Sequence, residues 1–225
     1  MRAWTFEDGP MIDRQENQKH HWKQAEVPLL PVMEHFYTLQ GEGAYQGHAA
    51  YFVRLAGCDV GCVWCDVKES WHTEGYPHLP VTALIEEARR HPARLLVTTG
   101  GEPLMYALDE WCNYWREAGF RLHLETSGAY PLSGIWDWIC LSPKKFKRPH
   151  ESVCQQADEL KVVVYHKSDF AWAEEYALKV PDNCLLFLQP EWSRAQRLLP
   201  SIIEYVKANP RWRISLQTHK YMNIP

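Results

Sequence analysis

The sequence predicts an α/β fold in a single domain, and three observations carry that expectation. Short β-rich runs alternate with amphipathic helical segments along the chain. Its 225 residues suffice for one sizeable core and fall short of two. The stretches richest in reactive side chains each follow a β-rich run directly. Such alternation makes crossover units and a parallel sheet, open or curled into a partial barrel. Sheets of this kind bind ligands in loops at the carboxyl ends of their strands.

Taken in order, residues 1–31 read as a polar leader ahead of a core domain over 32–225. The leader "MRAWTFEDGPMIDRQENQKHHWKQAE" has no apolar h-region of a signal peptide, and "VPLLP" reads as a spacer. "AAYFVRLAG", Ala49 to Gly57, is a buried strand feeding a cysteine-bearing loop. A helix capped by Thr82 runs through "ALIEEARR", and "RLLVTTGG" is the next strand. In "LMYALDEWCNYWREAG", Leu104, Leu108, Trp111, Cys112 and Trp115 recur at helical spacing, with Gly119 as the stop. "RLHLET", "WDWICLS", "LKVVVY", "CLLFLQP" and "WRISLQ" are further strands. "SDFAWAEEYAL" and "SRAQRLLPSIIEYVKA" are amphipathic helices between the later ones.

Composition narrows the setting. A hydrophobic fraction of 46% with eleven tryptophans argues for a folded globule, and a formal charge of -4 leaves no footprint of a duplex-binding protein. The tryptophans are read as core. No apolar run approaches the roughly 20 residues that cross a bilayer. The expectation is a cytoplasmic protein with a small-molecule partner, no nucleic acid and no membrane. Of seven cysteines, Cys112, Cys140, Cys154 and Cys184 fall singly in apolar or mixed stretches, as reduced buried thiols do. His20, His21, His91 and His150 read as solvated.

The other three thiols sit together in "GCDVGCVWCD", Gly57 to Asp66, as Cys58, Cys62 and Cys65. A structural zinc site wants four ligands, and only one short-spaced cluster is present, although His48 or His72 could supply the fourth. A redox C-x-x-C has no need of Cys58. An iron–sulfur cube fits better, because three cysteines leave one iron free to chelate an amino-carboxylate.

The C-x-x-x-C-x-x-C run, with Trp64 before its last cysteine, and "TGGEP" downstream resemble the signature of radical S-adenosylmethionine (SAM) enzymes. More narrowly, "FYTLQGEGAYQG", "FVRLAGC", "WCD", "TGGEP", "ETSG", "SPK", "LQP" and "RISLQTHKYMNIP" together are similar to the 7-carboxy-7-deazaguanine synthase family. They run in order from Met33 to Pro225 and leave the leader uncovered. The resemblance implies a partial TIM-like barrel of parallel strands with helices outside, as a radical SAM core. It implies conversion of 6-carboxy-5,6,7,8-tetrahydropterin to 7-carboxy-7-deazaguanine with loss of ammonia, a lyase reaction on the way to queuosine and related deazapurines. In it, SAM is regenerated after a hydrogen atom leaves substrate C6.

Residue by residue, the resemblance assigns Cys58, Cys62 and Cys65 to a [4Fe-4S] cluster. It assigns SAM to Trp64, Asp66, Gly100, Gly101, Glu102, Ser127, Ser142, Pro143, Lys144, Gln189 and Pro190. Glycine permits close approach, and the Glu102 carboxylate would complement the methionine ammonium. Leu39, Gln40, Gly41 and Glu42 would read the pyrimidine edge of the substrate, and Arg54 would take its carboxylate. Thr99, His219 and the terminal carboxylate of Pro225 would complete the pocket. A flavodoxin or ferredoxin as electron donor and a homodimer are implied as well. After "WCD" the family carries Thr or Ser as a Mg²⁺ ligand where this chain has Val67, so the expectation is that Mg²⁺ is not needed. The competing readings are another small radical SAM enzyme, such as a glycyl-radical activase, and a non-catalytic zinc- or cluster-bearing module.

Overall fold

The computed structural model describes residues 27–225, so most of the leader, with His20 and His21, lies outside the described residues. "VPLLP" is not a spacer: its Leu29 opens β1 (Leu29–Leu39), which pairs antiparallel with β2 (Ala49–Leu55) and with β3 (His78–Pro80). The link over 40–48 is too short for a parallel crossover, so the chain must turn back on itself. From β2 onward the parallel expectation holds through β4 (Leu95–Gly100), β5 (Arg121–Thr126), β6 (Trp138–Leu141), β7 (Glu159–Val164), β8 (Leu185–Pro190) and β9 (Trp212–Ile214). The sheet order is β3-β1-β2-β4-β5-β6-β7-β8-β9, and among the described residues its two ends do not pair with each other.

The sheet curls into an incomplete barrel. Gln40, just past β1, bonds Glu125 on β5; Glu42 bonds Lys161 on β7; and the Gly43 amide bonds Ser215 beyond β9. Side-chain alternation sorts each strand between two environments. Tyr51, Val53 and Leu55 of β2, Leu122 and Leu124 of β5, and Leu160, Val162 and Val164 of β7 pack into the main apolar core. Their alternates, Phe52 and Arg54, Glu125, and Lys161 and Val163, line the interior.

The outer layer is α1 (Val81–Ala88), α2 (Asp109–Glu117), the short α3 (Glu151–Cys154), α4 (Asp169–Ala177) and α5 (Ala195–Ala208), with α6 (Thr218–Met222) ending the chain. Trp111 and Trp115 of α2 are fully buried against the sheet, and Trp111 Nε1 donates to Thr98 Oγ1 at 3.2 Å. Removing either indole costs about 3–5 kcal/mol. Two helix starts differ from expectation. Pro80, not Thr82, precedes α1. Leu104 belongs to a separate 3₁₀ turn, Pro103–Met105, because Glu102 caps its amide and Tyr106 is extended, so α2 begins only at Asp109. His150 is exposed and caps α3, whereas His91 stacks on Tyr37 with centroids 4.5 Å apart.

Candidate active site

At the carboxyl ends of the strands lies an open-sided cavity of ≈ 280 Å³. β2 delivers the cysteine loop into it, and β4 delivers "TGGEP". The two loops are stitched by backbone bonds: Gly101 N donates to Leu55 O and Glu102 N to Gly57 O, each at 2.9 Å. This close approach requires glycine. Gly100 has φ +138, and a Cβ there would stand 2.1 Å from Leu55 O; one on Gly101 would stand 2.2 Å from Gly57 O. Gly100→Ala is therefore expected to lose at least about 2 kcal/mol, read as a lower thermal midpoint together with reduced cluster uptake.

Cys58, Cys62 and Cys65 all face the cavity. Burial raises the Cys58 thiol and pushes Cys62 up to about 11. Both are protonated at neutral pH until a metal displaces the protons. The donor set at this loop is three soft thiols, which suits iron–sulfur ligation. The three thiols fit a cluster, in which each thiolate takes a different iron. The other four cysteines are buried elsewhere.

Of the residues assigned to SAM, Trp64, Asp66, Gly100, Gly101, Ser127, Ser142, Lys144, Gln189 and Pro190 line the cavity. Lys144 Nζ donates to Ser142 Oγ at 2.6 Å and lies 5.5 Å over the Trp64 ring; burial lowers its pKa. Pro143 is buried behind them. Glu102 is not brought to the cavity wall. It is 0% exposed and accepts from the Leu104 amide, Thr126 Oγ1, and both the amide and hydroxyl of Ser127. Four donors already fill its oxygens, so its visible role is to tie the "TGGEP" and "ETSG" loops together.

The residues assigned to substrate, Leu39, Gln40, Gly41, Glu42, Arg54, Thr99, His219 and Pro225, share the same cavity. Arg54 stands between Glu34 and Thr99 in the strand register. Glu34 takes its Nε at 2.6 Å, and among the described residues no hydrogen bond occupies its terminal nitrogens. Phe36 and Phe52 stack at 5.5 Å beside it. Val67 also lines the wall, and its carbonyl accepts from Ser70 Oγ at 2.7 Å. Asp66 accepts from Lys220 at 2.9 Å and Gln217 at 3.4 Å, which hold its carboxyl below the ordinary range against the effect of burial.

Several lining residues escaped sequence reasoning. Lys161, 3% exposed, donates to Glu42 at 2.6 Å and Glu125 at 2.8 Å. Burial alone would lower its pKa, but Glu125, Glu42 and Glu159 more than reverse that, and it stays an ammonium. Burial would raise Glu42, but Lys161 and Gln217 hold it low. Glu159 supports the same loop, accepting from the Ala44 amide at 3.0 Å. A lysine inside the apolar run "ELKVVV" was the available signal. α6 closes this side: Gln217 bonds Glu42 at 2.9 Å, and Thr218 N bonds Gly41 O at 2.9 Å. His219 packs on Gly41; burial lowers its pKa.

The chain is similar to known proteins. Residues 52–141 match the model of the radical SAM superfamily. The chain is 52% identical to a 7-carboxy-7-deazaguanine synthase of Flavobacterium psychrophilum over 88% of this chain and 93% of the relative. It is 47% identical to the enzyme of that name from Synechocystis, over 86% and 93%. A solved structure of QueE from Escherichia coli superposes with TM-score 0.77 at 29% identity, covering 84% of this chain and 93% of that one.

Proposed function

Because the chain belongs to the 7-carboxy-7-deazaguanine synthases of the radical SAM superfamily, we propose that it converts 6-carboxy-5,6,7,8-tetrahydropterin to 7-carboxy-7-deazaguanine, releasing ammonia on a route to queuosine. The observation that supports this substrate is that the three thiols, the ionised carboxylate of Glu42 and the cation of Arg54 line one cavity. The relatives named above are 7-carboxy-7-deazaguanine synthases, and nothing in the site favours a glycyl-radical activase.

When bound, the cluster and SAM supply one-electron hydrogen-atom abstraction, which no side chain can perform. The chain supplies binding, orientation and dryness. Cys58, Cys62 and Cys65 hold the cluster. The Gly100–Gly101 backbone, Ser127, Ser142 and Lys144 frame the SAM side, with Gln189 and Pro190 beyond them. Glu42, kept ionised by Lys161, accepts the N–H donors of the pyrimidine edge, and Gln40 and Gly41 complete that edge. Arg54 pairs with the substrate carboxylate through its terminal nitrogens while Glu34 fixes its Nε. Phe36, Phe52 and the half-buried Trp64 exclude water. An electron-donor protein, a homodimer and a cytoplasmic location belong to the same reading; no helix among the described residues is long and apolar enough to cross a membrane.

The experiment is equilibrium binding of the pterin to anaerobically reconstituted protein. Micromolar binding is expected, weakened about tenfold or more in Arg54→Ala, the worth of a charge-assisted pair. No binding by the wild type would overturn the substrate assignment.

Val67 leads to a second expectation. Its side chain has no oxygen, its carbonyl is engaged by Ser70, and Asp66 is engaged by Lys220 and Gln217. Mg²⁺ demands oxygen ligands in near-octahedral geometry. Turnover after chelation should change less than about twofold as Mg²⁺ rises to millimolar, and Mn²⁺ should show no tight site by electron paramagnetic resonance. Val67→Thr should gain dependence; a large Mg²⁺ activation of the wild type contradicts this.

A further inference from the structure

None of the five residues of α6 is buried, so this last helix is attached chiefly by polar bonds, with one ring contact between Tyr221 and Trp192 at a centroid distance of 5.2 Å. Those bonds go to two different loops. At the substrate loop, Thr218 N and Thr218 Oγ1 both donate to Gly41 O at 2.9 Å, and Gln217 Nε2, at the start of the helix, donates to Glu42 Oε1 at 2.9 Å. At the cluster loop, Lys220 Nζ donates at 2.9 Å to Asp66 Oδ2, one residue beyond Cys65. Gln217 Nε2 reaches the same oxygen at 3.4 Å, and its own Oε1 accepts from Lys220 at 3.1 Å. Among the described residues, Gln217 is the one side chain that bonds both Glu42 and Asp66. A segment with little buried apolar surface and half-exposed bonds opens at low cost, so its order depends on the groups it bonds.

We propose that Gln217 is a positioning residue that couples the substrate loop to the cluster loop, so that SAM tightens binding of the pterin and the pterin tightens binding of SAM. This rests on the function proposed above, which puts the pterin against Glu42 and SAM at the cluster loop. Lys161 holds Glu42 Oε2 from the barrel wall at 2.6 Å, and Gln217 takes Oε1. A pterin that bonds Glu42 therefore fixes one end of the Gln217 bridge. SAM seated beside Asp66 fixes the other, which Lys220 shares. The ligand that arrives second meets a helix already ordered by the first and binds more tightly, because each has greater affinity for the protein with α6 in place. Such coupling is reciprocal by necessity: each ligand changes the affinity for the other by the same factor.

The test uses anaerobically reconstituted holoenzyme without reductant, so that neither ligand is consumed. Calorimetry gives the affinity for 6-carboxy-5,6,7,8-tetrahydropterin with and without saturating SAM, and that for SAM with and without saturating pterin. In the wild type each ligand should tighten the other by the same factor, at least about fivefold. In Gln217→Leu that factor should fall below about twofold, with iron content unchanged. Lys220→Met removes a bond to Asp66 without touching Glu42; it should lower the factor as well, while pterin affinity in the absence of SAM stays within about twofold of wild type. Independent or antagonistic binding in the wild type overturns the proposal. Full coupling in Gln217→Leu also overturns it and assigns the effect to direct contact between the ligands. Should Gln217→Leu fail to load its cluster, full coupling in Lys220→Met overturns it in the same way. A wild type that binds SAM and no pterin would instead strike the substrate assignment.

Discussion

Replacing any one of Cys58, Cys62 or Cys65 with Ala is expected to abolish turnover, with the cluster's visible absorbance and iron content falling together. Each thiolate takes a different iron, so no neighbour can substitute for the one removed, and the loop offers no spare donor. The remaining cysteines provide the control. Cys112 is buried in the outer core, where Gly134 packs against its sulfur. Cys112→Ala should lose about 1 kcal/mol of stability and leave turnover largely intact. A Cys62→Ala protein that still cleaves SAM would contradict the cluster assignment.

Lys161→Met is expected to be the most damaging change among the side chains that touch neither cluster nor SAM. It would leave Glu42 and Glu125 without their shared cation in a buried interior. Breaking such a pair by removing one partner costs about 3–5 kcal/mol, which for a chain of this size lowers the thermal midpoint by roughly 6–20 °C. Adding Glu42→Gln and Glu125→Gln should recover much of that loss, because the buried charges disappear together. The pH signature follows from the directions of the shifts. Glu42 is depressed in the folded state, so its contribution is full above the ordinary carboxylate range and lost as pH falls through its folded value. Lys161 is raised, so its contribution is full below the ordinary lysine range and lost as base rises through its folded value. The wild type should therefore hold a stability advantage over the variant across neutral pH that shrinks at both extremes. A variant as stable as wild type at pH 7 would show that the network carries no weight.

Much of this was legible in the chain because local signals agreed with global ones. The alternation of β-rich and helical runs placed β2, β4 through β9 and four of the helices, and the motif loops fell where parallel strands present them. The cysteine spacing named its own chemistry. What escaped depended on partners distant in sequence. β1 alternates weakly, and its antiparallel pairing came from a short link, not from its residues. Lys161 and Glu42 are 119 positions apart, and only a lysine inside an apolar strand hinted that a buried carboxylate must answer it. Glu102 was read as a ligand because it sits in a binding motif; the fold spends its oxygens on Thr126 and Ser127, which no local pattern could reveal. α6 was read for its motif, and its bonds to Gly41 and Glu42 appear only once the barrel curls.

The central claim is that one cavity brings a cluster-activated SAM and a carboxypterin together. Anaerobic turnover of 6-carboxy-5,6,7,8-tetrahydropterin with SAM and dithionite, followed by mass analysis, tests it most directly. The account predicts 7-carboxy-7-deazaguanine and ammonia in equal amounts, with many product molecules formed per SAM consumed. A reconstituted, iron-replete protein that cleaves SAM yet leaves the pterin unchanged would contradict it.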